Sequence, residues 1–237
     1  MTALSRMFGS TVGRKSIVAL TGLMLVLFLL GHLLGNLLLY AGQDAMNSYA
    51  ERLHSLGMGL WVIRAMLLAI FVLHITLAIR LNLHAASARP VPYAKKLDPQ
   101  VSSFATRSMV LTGLVVLAYL VYHILHFTVG VIQPDGKALI EIMEGGGQRA
   151  DVYNMVVTGF QNPLVSISYI VAMALLALHL KHGITSFFQT LGMNHPSYNG
   201  FFEKLGMGLS LILFLGFSSL PVTCLLGIVK VAKEVSQ

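Results

Sequence analysis

The chain has 237 residues, of which 56% are hydrophobic and 11% charged, with a net charge of +7 and a mean hydropathy of +0.76. Soluble domains carry about 25% charged residues, so this is not one, and its Lys and Arg flank membrane spans rather than marking a nucleic-acid surface. The single cysteine, Cys224, excludes an intramolecular disulfide and an iron–sulfur cluster held by cysteines of this chain; no Gly-x-Gly-x-x-Gly follows a strand pattern to cradle a nucleotide.

Five apolar runs reach the ~20 residues that a bilayer crossing needs. In chain order they are Ser16–Tyr40, Leu60–His84, Phe104–Val129, Pro163–Phe188 and Leu205–Val229. The predicted fold is all-α, a single integral membrane bundle of five transmembrane helices over residues 1–237. Arg14 and Lys15 precede the first run as in a signal peptide, but its apolar core far exceeds the ~7–15 residues of a secretory segment and no small-residue cleavage site follows. It reads as a retained helix. Segment 41–59, "AGQDAMNSYAERLHSLGMG", is mildly amphipathic and predicts a stretch lying along the membrane surface. Segment 85–103 is basic and Pro-punctuated, and 130–162 is the longest loop, with "EGGGQ" inside it. No internal repeat or low-complexity tract stands out.

Five spans put the two termini on opposite sides. With the N-terminus in the cytoplasm, the inner segments carry ten Lys and Arg, the cluster from Arg80 to Lys96 foremost, and the outer segments six. The outer segments also hold Asp44, Glu51, Asp135, Glu141, Glu144 and Asp151. The excess of inner positive charge predicts a cytoplasmic N-terminus and an outer C-terminus.

"LFLLGHLLGN", residues 27–36, places His32 deep in an apolar run, where an ionisable residue is costly unless something binds it. His32 is seventeen residues past Lys15, about 25 Å from the inner edge at ~1.5 Å per residue. His123, sixteen residues past Arg107, falls at nearly the same depth. His74 lies six residues before Arg80, roughly 9 Å from the inner edge, and His179, sixteen residues past Pro163, is again near the inner side. Interhelical hydrogen bonding accounts for a lone membrane histidine as well as metal ligation does. Four of them, on four spans and two by two in depth, favour iron, because bis-histidine ligation from facing helices holds a haem b inside a bundle. His126 and His182, three residues after His123 and His179, could each replace their neighbour; His54, His84 and His195 sit where solvation is the default. Gly31 and Gly35 bracket His32 in a GxxxG spacing that suits close helix contact and room for a porphyrin edge equally. The twelve methionines read as packing.

Several motifs together resemble the cytochrome b membrane anchor of succinate:quinone oxidoreductases (succinate dehydrogenase or fumarate reductase), in the version with one polypeptide, five helices and two haems. They are "GHLLGN" with His32 and Asn36, the surface segment "DAMNSYAERLHS", "VLHITLAI" around His74, "TGLVVLAYLVYH" with His123 ten residues after Gly113, and "HLKHGITSFFQTLG". The resemblance runs along most of the chain. It implies His123 rather than His126, and, from Gly183 and Gly192, His179 rather than His182. It pairs His32 with His123 at a distal haem and His74 with His179 at a proximal one, in accord with the depths. It implies two further subunits: a flavoprotein with covalent FAD and an iron–sulfur subunit, the latter relaying electrons to the inner face, where Arg89, Lys95 and Lys96 offer a basic docking surface. A quinone, menaquinone in the dihaem type, would react near the outer face. There Asn47, Glu51, Arg52 and His54 supply the proton donors and acceptors that quinone chemistry requires. Ala177 stands where some family members carry a proton-conducting glutamate two residues before the ligand, so electron movement here would couple instead to the membrane potential, ~2.3 kcal/mol per charge per 100 mV. The expected location is the bacterial cytoplasmic membrane. Two other functions fit the histidine pattern: the cytochrome b subunit of a hydrogenase or formate dehydrogenase, and a haem-free transporter or structural membrane protein.

Overall fold

The computed structural model describes residues 9–88, 108–132, 139–143 and 147–232. Five helices in it are long and apolar enough to cross a membrane. Helix α1, Thr11–Asn36, starts where Ser10 Oγ accepts the Gly13 N–H at 3.0 Å, satisfying one of the orphan donors of its first turn, and tightens into a 3-10 turn at Leu37–Ala41. The surface segment forms α2, Gln43–Ser55, followed by α3, Met58–Ser87. Helix α4, Met109–His123, loosens into a π turn at Ile124–Thr128. Strands β1, Ile140–Ile142, and β2, Gln148–Ala150, form an antiparallel hairpin. Helix α5, Val152–Gln161, leads into α6, Pro163–Thr190, and α7, Pro196–Leu225, completes the fold.

Where these bounds depart from the apolar runs, capping chemistry set them. Helix α7 begins at Pro196, nine residues before Leu205, because a proline at the first helical position has its φ preset and no donor to lose. It ends at Leu225, short of Val229, because Gly227 takes φ +67° and its N–H returns to the Cys224 carbonyl, the left-handed stop that glycine permits. The predicted start of the third span at Phe104 lies outside the described residues, as do Arg89, Lys95 and Lys96 of the predicted docking surface. The hairpin and α5 are additions to the all-α expectation. Strands of three residues carry too little alternation to be read in advance.

The chain divides into two compact units, and each takes a portion of all five long helices. The first comprises Met1–Leu29, Ile63–Leu114 and Leu176–Leu211. In it α6 and α7 approach closely: a Cβ on Gly206 would lie 2.9 Å from Thr185 Oγ1 and 3.0 Å from the Lys181 carbonyl, and Phe188 stacks on Phe202 at 4.1 Å. The second comprises Leu30–Val62, Val115–Leu175 and Ile212–Gln237. Its core gathers Leu39, Met46, Val157, Phe160, Tyr169 and Leu220. Large apolar side chains such as Leu164, 81% exposed, and Trp61, 64% exposed, cover the long helices. Such surface is a liability in water and the normal exterior of a helix in lipid.

A polar clasp closes one part of the second unit. Asp151 caps α5 by accepting the Asn154 N–H at 3.0 Å, and also accepts from Asn47 Nδ2 at 3.0 Å and Gln43 Nε2 at 2.9 Å. Arg149, from β2, donates to Glu141 at 2.6 Å, Asp44 at 2.8 Å and Ser48 at 2.9 Å. Asn154 holds the chain after α7 through the Ala232 N–H at 2.8 Å. The hairpin, α2, α5 and the C-terminal segment are thereby tied by hydrogen bonds. Those from Arg149 hold the Glu141 and Asp44 carboxyls below their ordinary range, since bonds to the ionised form favour it.

Candidate functional site

The four predicted ligands fall into two pairs, one in each unit. In the second unit the His32 ring, from α1, faces that of His123, from α4, with centroids 5.9 Å apart and planes at 87°. Phe217 of α7 flanks His32, also at 5.9 Å. Two imidazoles that share a metal through facing nitrogens at about 2 Å each place their ring centres about 6 Å apart, so the observed spacing suits a shared iron. His126 is elsewhere. It is 2% exposed, stacks on Phe127 at 4.0 Å, and meets the Tyr169 hydroxyl through Nδ1 at 3.1 Å. That aromatic cage belongs to the π turn, and it occupies His126 where His123 faces His32. Tyr169 Oη also stands 3.3 Å from His123 Nδ1, so one phenol from α6 serves both rings.

In the first unit His74 of α3 and His179 of α6 each lie against a Thr-Gly pair on another helix. His74 Nδ1 is 3.1 Å from Thr21 Oγ1 and 3.2 Å from the Val18 carbonyl. His179 Nδ1 is 3.4 Å from Thr112 Oγ1. A Cβ on Gly22 would lie 3.2 Å from His74 Cε1, and one on Gly113 would lie 3.1 Å from His179 Cε1. Glycine at both positions spares the ring a contact that would push it back by a few tenths of an ångström. The two histidines are close enough for a charge on one to be felt at the other. His182 is half-buried one turn along α6, while His84 and His195 are exposed.

Among the described residues there is no group of three or more His, Cys, Asp or Glu arranged for a metal ion. The donor sets present are imidazole pairs, which suit a metal whose remaining ligands come from a macrocycle.

The surface residues behave differently from the histidines. Asn47 is fully buried; its amide donates to Glu141 and Asp151 and accepts the Tyr153 N–H at 2.9 Å. Both ends of the side chain are thus committed to the clasp. Glu51, Arg52 and His54 are exposed on α2. None of the four lines the cavity of about 190 Å³ that reaches His32. That cavity is bounded by His32, Gly35, Asn36, Met46, Tyr49 and Leu53 among others. Gly35 makes room for Tyr49: a Cβ there would meet the ring and its hydroxyl at 2.8 Å. Tyr49, Tyr169, Thr21 and Thr112 were absent from the sequence expectations. Tyr49 was signalled by the helical stripe Met46–Tyr49–Ala50–Leu53, and the threonines by a short repeat described below.

The chain matches no family model, no curated protein and no solved structure.

Proposed function

We propose that this chain is the dihaem cytochrome b anchor of a succinate:quinone oxidoreductase, set in a bacterial cytoplasmic membrane with its N-terminus inside. The observation that carries the reading is the presence of two imidazole pairs, each drawn from different long apolar helices and each with partnered Nδ1 atoms on at least one ring. His74 and His179 would hold the proximal haem b, and His32 and His123 the distal one. Bound haem iron supplies one-electron transfer, which no side chain of this composition provides. The helices keep each pair dry and fix its rings. Nδ1 of His74 and His179 is turned to oxygen atoms of the protein, which leaves Nε2 for the metal.

At the outer end, the cavity beside His32 is the place for a quinone headgroup. Tyr49 offers a hydroxyl and Asn36 an amide, whose Nδ2 now donates to the His32 carbonyl at 2.7 Å. These groups can donate to quinone oxygens and fix the ring within electron-transfer reach, while a hydroxyl of this kind sits on the proton path that quinone reduction needs. The iron–sulfur and flavoprotein subunits, with FAD and the clusters, would dock on the cytoplasmic side.

The deciding experiment is a pyridine-haemochrome count on the purified full chain, expressed with ample haem. Two haems per chain are expected, one in His74→Ala or His179→Ala, and two in His126→Ala and His182→Ala. A colourless wild-type chain refutes the reading. Loss of a haem in His182→Ala with none lost in His179→Ala refutes the ligand assignment on α6. Copurification with a flavin-containing partner favours this enzyme; a nickel or molybdenum partner favours a hydrogenase or formate dehydrogenase.

A further inference from the structure

The surroundings of His74 and His179 are the same motif built twice. Leu20-Thr21-Gly22-Leu23 in α1 and Leu111-Thr112-Gly113-Leu114 in α4 are identical, and in both a histidine follows the threonine by eleven residues, His32 and His123. Eleven residues make just over three helical turns, so threonine and histidine share a face of each helix. The correspondence extends to the contacts. Each threonine hydroxyl meets Nδ1 of the facing histidine, Thr21 at 3.1 Å and Thr112 at 3.4 Å, and at His74 the Val18 carbonyl accepts as well.

At this motif one hydroxyl hydrogen meets several acceptors. A threonine hydroxyl has one hydrogen. Thr21 gives it to the Ile17 carbonyl at 2.7 Å or the Val18 carbonyl at 3.1 Å. Thr112 gives its own to Ser108 at 3.0 Å or Met109 at 3.1 Å. With its hydrogen on a carbonyl, each hydroxyl faces its histidine with a lone pair. At His74 the Val18 carbonyl can only accept, so Nδ1 is the donor there, and the matching arrangement at His179 has Nδ1 donating to Thr112 Oγ1. Both threonines are buried, at 6% and 3% exposure, so water does not offer an alternative partner.

We infer that Thr21 and Thr112 are positioning residues that lock His74 and His179 as Nδ1–H tautomers, so that the repeated Leu-Thr-Gly-Leu-x8-His module supplies a ligand to one pair and the support for the other. The inference rests on the haem reading of the His74/His179 pair. An acceptor on Nδ1–H makes the imidazole more basic, and a more basic ligand stabilises the oxidised metal. Removing both hydroxyls raises the midpoint potential of that haem alone.

The test uses the full chain in membranes, with Thr21→Val, Thr112→Val and the double variant, which replace a hydroxyl by a methyl of the same shape. Thr21→Ser and Thr112→Ser restore the acceptor. Potentiometric titration of both haems and low-temperature electron paramagnetic resonance of the ferric protein are the readouts. In the double variant one haem's reduction equilibrium is expected to shift about tenfold, or 59 mV upward for one electron, with smaller shifts in the singles. The second haem keeps its potential, and both serine variants match the wild type. Unchanged potentials, equal movement of both haems, or serine variants that behave like valine overturn the inference. If the double variant loses its haem, the single variants against their serine counterparts decide by the same criterion. A wild-type chain with fewer than two haems instead overturns the reading of the pair on which the inference stands.

Discussion

Gly22 and Gly113 provide the sharpest check on the geometry of the His74/His179 pair. Replacing either by alanine adds a Cβ 3.2 Å or 3.1 Å from a histidine Cε1. Carbon atoms in good contact sit about 3.5–4.0 Å apart, so the ring must retreat by roughly 0.3 Å or more. Two energies oppose each other. Glycine to alanine in a helix interior gains about 0.8–1.0 kcal/mol, whereas mild overpacking costs about 1–3 kcal/mol. The net is a destabilisation of about 0–2 kcal/mol, a small shift in Tm. Ring placement is more sensitive, since a metal site tolerates displacements of only about 0.5 Å. We therefore expect Gly22→Ala and Gly113→Ala to change the resonance spectrum and potential of one haem while leaving Tm nearly unchanged. Gly208→Ala, whose Cβ would meet nothing within 4 Å, is the matched control. Spectra of Gly22→Ala and Gly113→Ala indistinguishable from that control would refute the contact argument.

Two further predictions concern the polar part of the second unit. Asn47→Leu leaves the Tyr153 N–H without its acceptor and takes one donor from each of two carboxylates that keep others, which at ~1–3 kcal/mol for a buried orphan lowers stability by about 1–3 kcal/mol, read as Tm in detergent, with the KM for quinone unchanged. Tyr49→Phe should do the opposite, raising the quinone KM about two- to tenfold, the worth of a ~0.5–1.5 kcal/mol hydrogen bond, at constant Tm; equal effects of the two variants on KM would argue against the cavity as the quinone site. Arg149→Met removes the donor that depresses the Glu141 and Asp44 carboxyls. Because folded values below the unfolded ones stabilise only while the groups are ionised, the Tm gap between wild type and variant should be constant from pH 7 to about 5 and should close below about pH 4. A gap that widens on acidification is the contrary result.

The spans were legible because some twenty apolar side chains in succession leave little choice of environment, and the last helix moved at both ends where Pro196 and Gly227 imposed backbone geometry on an indifferent hydropathy pattern. The facing of His32 and His123 was legible too, as a residue count from Lys15 and Arg107, since a helix converts sequence separation into depth at a fixed rate. The threonines were not. A Thr in a membrane helix is a common residue with its hydroxyl bonded to its own backbone, and hydropathy registers nothing at Thr21 or Thr112. The repeat that betrays them is thirteen residues long with six identities, too sparse to stand out until the two histidines it faces are in view.

On the surface helix, polar residue type and helical periodicity single out different side chains. Asn47, Glu51, Arg52 and His54 attracted attention because they can exchange protons or donate hydrogen bonds, yet a helix presents to its neighbour a stripe at i, i+3, i+4 and i+7. On α2 that stripe is Met46, Tyr49, Ala50 and Leu53, the residues that wall the cavity beside His32. Glu51, Arg52 and His54 fall off it and are exposed, and Asn47, one step from it, is turned to Glu141, Asp151 and Tyr153. The one side-chain hydroxyl on the stripe is that of Tyr49, and Gly35 leaves room for it beside α1. Periodicity therefore separates these groups: of six polar side chains from Asn47 to His54, the helical repeat leaves one, Tyr49, lining the cavity beside His32.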